Sequence, residues 1–255
     1  MILAYFRHIA AALIFLSLNS PATAEIKQYP PKPFPYREKL EYSIEWRLIT
    51  AGMAQIDVEP VGSNWETKLN IESAGMVTRL YRVSDAYRAL TNNQFCGIHA
   101  TLDAQEGKRH RFSSLSFDGS KKKVTYEERD LVKNKTTQKT IDIAPCAHEI
   151  VGALSALRMM RVEPGKTVML PVTDGKKMVM ARVEAQQRET IEVDNRKFQT
   201  IRYEAFLFDN VLYRRKGRLW VWMTDDASRL PVQMRVRLGF PIGNITLTLD
   251  KDERP

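Results

Sequence analysis

Apolar side chains occupy every second position along most of this chain. The first such run consists of Leu40, Tyr42, Ile44, Trp46 and Leu48. Strict alternation of apolar and polar residues is typical of a half-buried β-strand. Two more alternating runs, at residues 54–58 and 65–71, follow after short turns. The beginning of the domain is therefore predicted to be an antiparallel meander.

One long segment has the helical period instead. Within residues 147–161, the side chains of Ile150, Val151, Leu154 and Leu157 fall on one face of a helix. Residues 74–83 are predicted to form one or two further helical turns. About 13 predicted strands against this one long helix indicate a mainly β fold.

We expect the strands to form a strongly curved antiparallel sheet or open barrel wrapped around the central helix at residues 147–161. The apolar face of that helix has to be buried, and the sheet is the available partner. The candidates for core residues or for the lining of an apolar cavity are Trp46, Trp65, Leu154, Leu157, Trp220 and Trp222. A chain rich in methionine and tryptophan suits a filled core and an adaptable cavity equally well.

The strand-forming region has no internal linker rich in proline, glycine or serine, so residues 39–255 are predicted to form a single β domain. Residues 25–38 precede it and contain Pro30, Pro31, Pro33 and Pro35. Because proline lacks the backbone donor that a sheet needs, this segment is predicted to be an extended N-terminal arm.

The first 24 residues have the three parts of a secretory signal. Arg7 lies in a short basic region, residues 9–18 are mostly apolar, and Ala22 and Ala24 supply the small residues of a cleavage site. This apolar run is far shorter than the roughly 20 residues that span a bilayer. We predict a cleavable signal peptide at residues 1–24, with cleavage between Ala24 and Glu25 and export to the periplasm. The alternative is an uncleaved anchor, but no later stretch is apolar enough to span a membrane.

The two cysteines, Cys96 and Cys146, both lie in the predicted mature chain. In an oxidising compartment an even pair of cysteines favours a disulfide. Their spacing matches neither a redox CxxC motif nor a zinc knuckle. A disulfide is therefore predicted, and two separate buried thiols are the alternative.

The chain is basic, with a formal net charge of +9. Its clusters of Lys and Arg lie at residues 108–111, 121–123, 176–177 and 214–216. Such clusters attract anionic partners, and outside the cytoplasm these are lipid headgroups or anionic envelope polymers rather than nucleic acid. The alternative is that they occupy solvent-facing turns and protect sheet edges.

Motifs that carry chemistry are absent from the sequence. His99, His110 and His148 have no second ligand at a metal-binding spacing. Neither a nucleophile elbow nor a glycine-rich phosphate loop occurs. The pair Asp225 and Asp226 lies between two strands and is predicted to form a turn. We therefore expect no catalytic residue, no metal site, no cofactor and no enzymatic activity.

Several segments resemble those of one bacterial envelope family. These segments are FPYREKLEYSI at 34–44, AGMA at 51–54, LSALR at 154–158, GRLWVW at 217–222 and RLPV at 229–232. Together they resemble the family called domain of unknown function 3108. The resemblance implies a curved antiparallel sheet wrapping a helix, similar to the open half-barrels of periplasmic lipoprotein carriers. It implies no catalytic or binding residue, and Cys96 and Cys146 are not part of the family pattern.

The expected function is therefore non-enzymatic. We predict a periplasmic envelope protein that binds an apolar or amphipathic component: a lipid, an acyl chain or a lipoprotein. The alternative is a protein-binding scaffold that supports envelope integrity, and a hydrolase of unknown type is a lesser alternative. A deep apolar cavity favours the first function, and a closed core with an exposed apolar patch favours the second.

Overall fold

The structure is a computed structural model that describes residues 37–239 and 241–254. The predicted signal peptide with its cleavage site, and nearly all of the predicted arm, lie outside the described residues. The strands are β1 (Glu38–Trp46), β2 (Ile49–Val61), β3 (Asn64–Ser73), β4 (Val83–Thr91), β5 (Gly97–Glu106), β6 (Arg109–Asp118), β7 (Lys123–Asp130), β8 (Lys135–Asp142), β9 (Thr167–Thr173), β10 (Met178–Val193), β11 (Arg196–Phe206), β12 (Gly217–Thr224), β13 (Pro231–Leu238) and β14 (Gly243–Glu253). The helices are α1 (Gly75–Leu80) and α2 (Ile150–Met159).

All 14 described strands belong to one antiparallel sheet, which confirms the mainly β prediction. Their order is β8-β7-β6-β5-β4-β3-β2-β1-β14-β13-β12-β11-β10-β9. Two meanders, β1 to β8 and β9 to β14, are thus joined side by side through the pair of β1 and β14. The edge strands β8 and β9 share no ladder, so the sheet is not closed into a barrel.

The alternating pattern predicted the meander of β1, β2 and β3 correctly. It divided β10 incorrectly into two strands at residues 179–183 and 189–193. In the structure the polar residues between them continue the strand, because they pair with β11 through a register shift between Ala185 and Gln187. A bulge of this kind lets a strand continue through residues that break the apolar pattern.

Helix α2 is shorter at both ends than the predicted span of 147–161. His148 has extended backbone and forms a bridge with Val172 of β9, and Glu149 is the N-cap. At the other end Met160 is already extended. The buried residues of α2 are Val151, Gly152, Ser155, Ala156, Leu157 and Arg158.

The core consists of three clusters. The first joins Leu157 of α2 with β9 to β12, and the second joins Ala156 of α2 with β1, β2, β13 and β14. The third lies in β4 to β7 and includes Ala147, just before α2. Two neighbouring residues of one short helix therefore pack into different parts of the same sheet.

The predicted disulfide is confirmed. Cys96 and Cys146 are joined, with an S–S distance of 1.96 Å and a Cα–Cα distance of 4.6 Å. The bond connects the residue before β5 with the segment that leads into α2. A backbone hydrogen bond from Gly97 N to Ala147 O, at 2.9 Å, supports the same contact.

Side chains near the two edges of the sheet contact each other. The ring of Tyr126 in β7 packs directly against Gly175 in the turn between β9 and β10, where any larger residue would clash with it. Lys139 of β8 donates from Nζ to the carbonyl oxygen of Lys176 at 2.6 Å. Lys176 Nζ lies 3.4 Å from Glu128 of β7. The β9–β10 turn thus lies beside β7 and β8, although it is far from them in the ladder order.

Candidate functional site

A cleft of about 240 Å³ lies where this turn, the start of α2 and strands β4 to β7 come together. We call it the tyrosine cleft. Its lining residues are Tyr87, Leu102, Ala104, Arg111, Ser113, Leu115, Tyr126, Glu128, Glu149, Ile150, Thr173, Asp174, Lys176 and Tyr213. Three tyrosine rings and aliphatic side chains form its apolar surface, and charged groups of both signs lie among them.

The buried floor of the cleft is the carboxylate of Glu149. Tyr87 donates its hydroxyl to Glu149 Oε2 at 2.6 Å, and the backbone N–H of Val151 donates to the same oxygen at 2.6 Å. The N–H of Gly152 donates to Oε1 at 2.5 Å. Burial raises the pKa of Glu149, while these three donors oppose the shift. Glu149 therefore caps the helix and fixes the position of Tyr87.

Charged groups of both signs form the rim. Tyr126 donates to Glu128 Oε2 at 2.5 Å, and the ammonium of Lys176 lies 4.8 Å from the centre of the Tyr126 ring. Burial works to raise the pKa of Glu128, but the Tyr126 hydroxyl, Lys176 and Arg111 together hold it below its ordinary value. Burial, with the nearby charge of Asp174, raises the pKa of Tyr213 to about 12. The tyrosines are therefore neutral hydrogen-bonding groups at physiological pH.

Arg111 lines this cleft and has one donor without a partner. Its Nη2 donates to Glu106 at 2.8 Å, but its Nε is buried without a hydrogen-bond partner among the described residues. A buried donor without a partner costs free energy. An oxygen acceptor that reached Nε would remove that cost.

The carboxylate of Glu149 has a structural role in the cleft. Both oxygens of Glu149 are engaged by fixed donors, so this carboxylate is not free to act as a general base. Within the described ranges, no group of three or more His, Cys, Asp and Glu residues is arranged to hold a metal ion. The arrangement instead combines apolar rings, one buried unused donor and a rim of mixed charge.

A larger groove of about 680 Å³ runs beside β1, β2 and the end of β14. Its charged side chains pair with one another: Lys68 and Arg37 bind Glu59, and Arg254 binds Asp252. Apart from Val58, the lining residues of this groove are charged, so it offers little apolar lining.

The six residues proposed from the sequence as core or cavity lining lie away from the tyrosine cleft. Leu157 is 4% exposed in the first core cluster, and Leu154 is partly buried against that cluster. Trp65 stacks on Phe95, with ring centroids 6.0 Å apart. These three side chains fill the interior rather than line a cavity.

The remaining three tryptophans have polar partners. Trp46 donates from Nε1 to Ile242 O at 2.7 Å, and Trp222 donates from Nε1 to Glu189 at 2.7 Å. Trp222 is buried in the second core cluster, and Trp220 packs against that cluster. The two share one face of β12, opposite Val221, and their partners in β11 and β13 are polar or charged: Arg202, Glu204, Gln233 and Arg235. Strand β12 thus has large apolar side chains on both faces of the sheet.

The polar residues considered for chemistry have structural partners. His148 is buried and donates from Nδ1 to Phe95 O at 2.7 Å, and burial lowers its pKa. Its neighbour Glu149 is the N-cap of α2. Asp226 Oδ1 accepts from the N–H groups of Ser228 and Arg229 at 2.9 and 3.2 Å. This is the turn that was predicted at Asp225 and Asp226.

Sequence reasoning missed the tyrosine cleft, although β6 carries a signal for it. Ser113 and Leu115 share a face of β6 and are both buried. A serine at a position where the alternation predicts an apolar residue indicates that the interior is not filled there. Tyr87 and Tyr126 give no such signal, because tyrosine is common in strands.

Comparison with known proteins identifies the family. The model of the family described as "Protein of unknown function (DUF3108)" matches residues 41–250. The chain belongs to this family. The resemblance noted in the sequence is thereby confirmed. A search of curated proteins found no match.

A solved structure supports the fold. A β-barrel-like protein of domain of unknown function DUF1849 from Brucella abortus aligns with a TM-score of 0.57 and 8% identity, over 87% of this chain and 98% of that chain. A protein with a YmcC-like fold from Bacteroides fragilis NCTC 9343 aligns with a TM-score of 0.38 and 8% identity, over 85% of this chain and 95% of that one. At 8% identity the likeness to the Brucella protein concerns the fold alone. Among residues 37–239 and 241–254, no helix has the length and apolarity needed to cross a bilayer.

Proposed function

We propose that this protein is a non-enzymatic binding module whose tyrosine cleft takes an amphipathic lipid-like molecule with a zwitterionic head. The observation that carries the proposal is the buried Arg111 Nε, which lacks a partner beside a cleft that combines tyrosine rings and aliphatic groups with charged groups of both signs. Binding sites of small ligands typically combine an apolar lining with a few placed polar groups.

The charges of the rim select the head group. Arg111 and Lys176 suit a phosphate or carboxylate oxygen, while Glu128 and Asp174 suit an ammonium group. The volume of about 240 Å³ is below the roughly 300–1,000 Å³ typical of sites that enclose a whole small ligand. The cleft therefore takes the head group or part of one acyl chain, and the rest of the lipid lies outside.

We infer that the sheet is strongly curved and wraps α2. Helix α2 contacts both β4 and β9, which are nine places apart in the strand order. The contact of Tyr126 with the β9–β10 turn likewise needs the two edges to approach each other. On this account the cleft is the opening that remains where the curved sheet does not close.

We propose that the protein works in the periplasm. Its disulfide supports an oxidising compartment, where such bonds persist. The predicted signal peptide at residues 1–24 agrees with this location. The intact mass of the protein recovered from cells tests it, because cleavage between Ala24 and Glu25 removes a defined mass.

Native mass spectrometry with one pair of matched variants tests the binding function. Ser113→Leu fills the cleft, whereas Ser116→Leu makes the same change at an exposed position of β6. With lysophosphatidylethanolamine as the probe, wild type and Ser116→Leu are expected to form a one-to-one complex. Ser113→Leu is expected to lose at least about tenfold in affinity, which corresponds to roughly 1.4 kcal/mol. Equal binding by both variants, at equal thermal stability, would show that the cleft is not the site.

A protein-binding scaffold is the second candidate. It is supported by exposed apolar side chains such as Leu48, Met76 and Leu80. Recovery of one stable protein partner by wild type and Ser113→Leu alike, without any bound lipid, would favour the scaffold over the lipid-binding module.

A further inference from the structure

The connections between strands fall into two sets at opposite ends of the sheet, because every neighbouring pair is antiparallel. One set, which we call the α1 end, consists of residues 47–48, 74–82, 107–108, 131–134, 174–177, 207–216 and 239–242. The other, the disulfide end, consists of residues 62–63, 92–96, 119–122, 143–166, 194–195 and 225–230. Charge and apolar exposure differ sharply between them.

The α1 end is strongly basic. Its Lys and Arg residues are Arg47, Arg79, Arg82, Lys108, Lys133, Lys176, Lys177, Arg214, Arg215 and Lys216. Its acidic residues are Asp174 and Asp209. Within the described part of the chain, Lys133 and Lys176 are the members of this set that lie within 4 Å of a carboxylate. The other basic residues of this set have no carboxylate partner there, although Arg47 and Lys177 donate to backbone carbonyl oxygens.

The disulfide end has nearly balanced charge. Its basic residues are Lys121, Lys122, Arg158, Arg161, Lys166 and Arg229, and its acidic residues are Glu149, Glu163, Asp194, Asp225 and Asp226. Arg158, Arg229 and Glu149 are buried there. The net positive charge of the protein is thus concentrated at the α1 end.

Exposed apolar side chains follow the same division. Of the large exposed hydrophobic residues in the described part of the chain, those in connections are Leu48, Met76, Leu80, Tyr81, Leu131, Val132 and Val211. All seven belong to the α1 end. Helix α1 itself has no buried residue, so its apolar side chains contribute little to the core.

Leu48 is the most exposed of these seven residues. It is 95% exposed and lies in the two-residue turn between β1 and β2, where Arg47 and Leu48 have φ values of 50° and 68°. A turn with two positive φ values favours glycine or asparagine. Leucine is therefore unfavourable here for local folding and adds exposed apolar surface.

We propose that the α1 end binds the surface of an anionic lipid bilayer, which goes beyond the proposed function. Apolar side chains carried on several separate turns, with Lys and Arg among them, match the interfacial layer, where apolar groups enter and basic groups meet anionic heads. The seven apolar side chains lie on four separate connections rather than on a single strand or helix. Asp174, Lys176 and Tyr213 of the tyrosine cleft belong to the same end, so a docked protein presents its cleft to the bilayer.

Vesicle sedimentation tests the proposal. The probes are vesicles of phosphatidylcholine alone and of phosphatidylcholine with a minority of phosphatidylglycerol. Every variant is purified with the same N-terminus as wild type, so that differences report the substituted end. Wild type is expected to bind the anionic vesicles more tightly, and added salt is expected to weaken this binding.

Two matched pairs of variants locate the surface. Arg214→Ser/Arg215→Ser is expected to lose about tenfold or more in partitioning, since each basic residue near the surface contributes appreciably. Lys121→Ser/Lys122→Ser, at the disulfide end, is expected to stay within about twofold of wild type. Leu48→Gly is expected to lose about fivefold or more with an unchanged or higher melting temperature. Val61→Ser, which removes an exposed apolar residue near the other end, is its control.

Two results would overturn the proposal. One is equal binding of wild type to neutral and anionic vesicles. Absence of binding to either kind of vesicle counts as this result, and it is expected if the α1 end binds an acidic protein instead. The other is an equal loss of binding in the variants of both ends. Lysophosphatidylethanolamine binding to Ser113→Leu is measured without vesicles, so failure of the cleft and failure of the docking surface give different results.

Discussion

Arg158 of α2 and Glu38, the first residue of β1, form a buried ion pair with bidentate hydrogen bonds. Arg158 Nη1 lies 2.6 Å from Glu38 Oε2, and Nη2 lies 2.9 Å from Oε1. Their side chains are 5% and 0% exposed. Arg158 Nε also donates to Arg229 O at 3.1 Å, in the connection before β13. The helix is thereby attached to β1, the strand that joins the two meanders.

Removing both partners of this pair is expected to cost less than the sum of removing each one alone. Glu38→Gln leaves a buried guanidinium without its counter-charge, and breaking such a pair costs about 3–5 kcal/mol. The double variant Glu38→Gln/Arg158→Met leaves no unpaired buried charge. Its loss of unfolding free energy is therefore expected to be at least about 1 kcal/mol smaller than the sum of the single losses. Urea denaturation of the four proteins measures this. Additive losses would mean that the two side chains do not act as a pair.

Leu157 is expected to matter more for stability than Leu154. Leu157 is 4% exposed in the first core cluster, whereas Leu154 is only partly buried against it. Leu157→Ala is expected to cost about 2–5 kcal/mol, the usual range for a buried leucine, and Leu154→Ala less. Chemical denaturation of both variants decides the order. A larger loss for Leu154→Ala would place the helix in a different rotation against the sheet.

Removing the disulfide is expected to destabilise the protein strongly. The bond joins residues separated by 50 positions, and closing a loop of that length contributes about 4 kcal/mol in the chain-entropy model. Cys96→Ser/Cys146→Ser is expected to approach that loss in denaturant unfolding. Thiol labelling of denatured, non-reduced wild type is expected to find no free thiol, and labelling of both cysteines would contradict the bond.

Asp85 is expected to make the protein less stable as the pH rises. Burial, with repulsion from Glu106, raises the pKa of Asp85 from 3.8 to about 6. The folded protein thus holds the proton more tightly than the unfolded chain, so stability falls between about pH 4 and pH 6 and stays lower above that. Asp85→Asn keeps an oxygen for the N–H of Gln105 and is expected to gain about 1 kcal/mol at pH 7, discounted for partial exposure. A gain of equal size at pH 4 would contradict this cause.

Local pattern accounts for much of the fold. Strict alternation in β1 to β3 is enough to predict their meander, because each strand has one buried face. The same logic fails at residues 186–189 of β10, where pairing with β11 carries polar residues through the strand. It also extends α2 too far, because the bridge of His148 to Val172 depends on a partner distant in sequence.

The tyrosine cleft depends on contacts that no local pattern contains. Tyr126 and Gly175 are far apart both in sequence and in the strand order, and they meet where the edges of the sheet approach. The capping role of Glu149 is visible from its position before an apolar helix. The hydrogen bond between Glu149 and Tyr87 cannot be predicted from the sequence, because it requires β4 to lie beside the start of α2.

NMR signals of the tyrosine rings, recorded on protein with labelled tyrosine, report directly whether a lipid enters the tyrosine cleft. Lysophosphatidylethanolamine is added below its micelle concentration. Shifts are expected at Tyr87, Tyr126 and Tyr213, which line the cleft. No shift is expected at Tyr42 or Tyr203, which are 1% exposed in the core clusters. Unchanged ring signals of the three cleft tyrosines at saturating lipid, or shifts confined to the exposed Tyr81, would contradict lipid binding in this cleft.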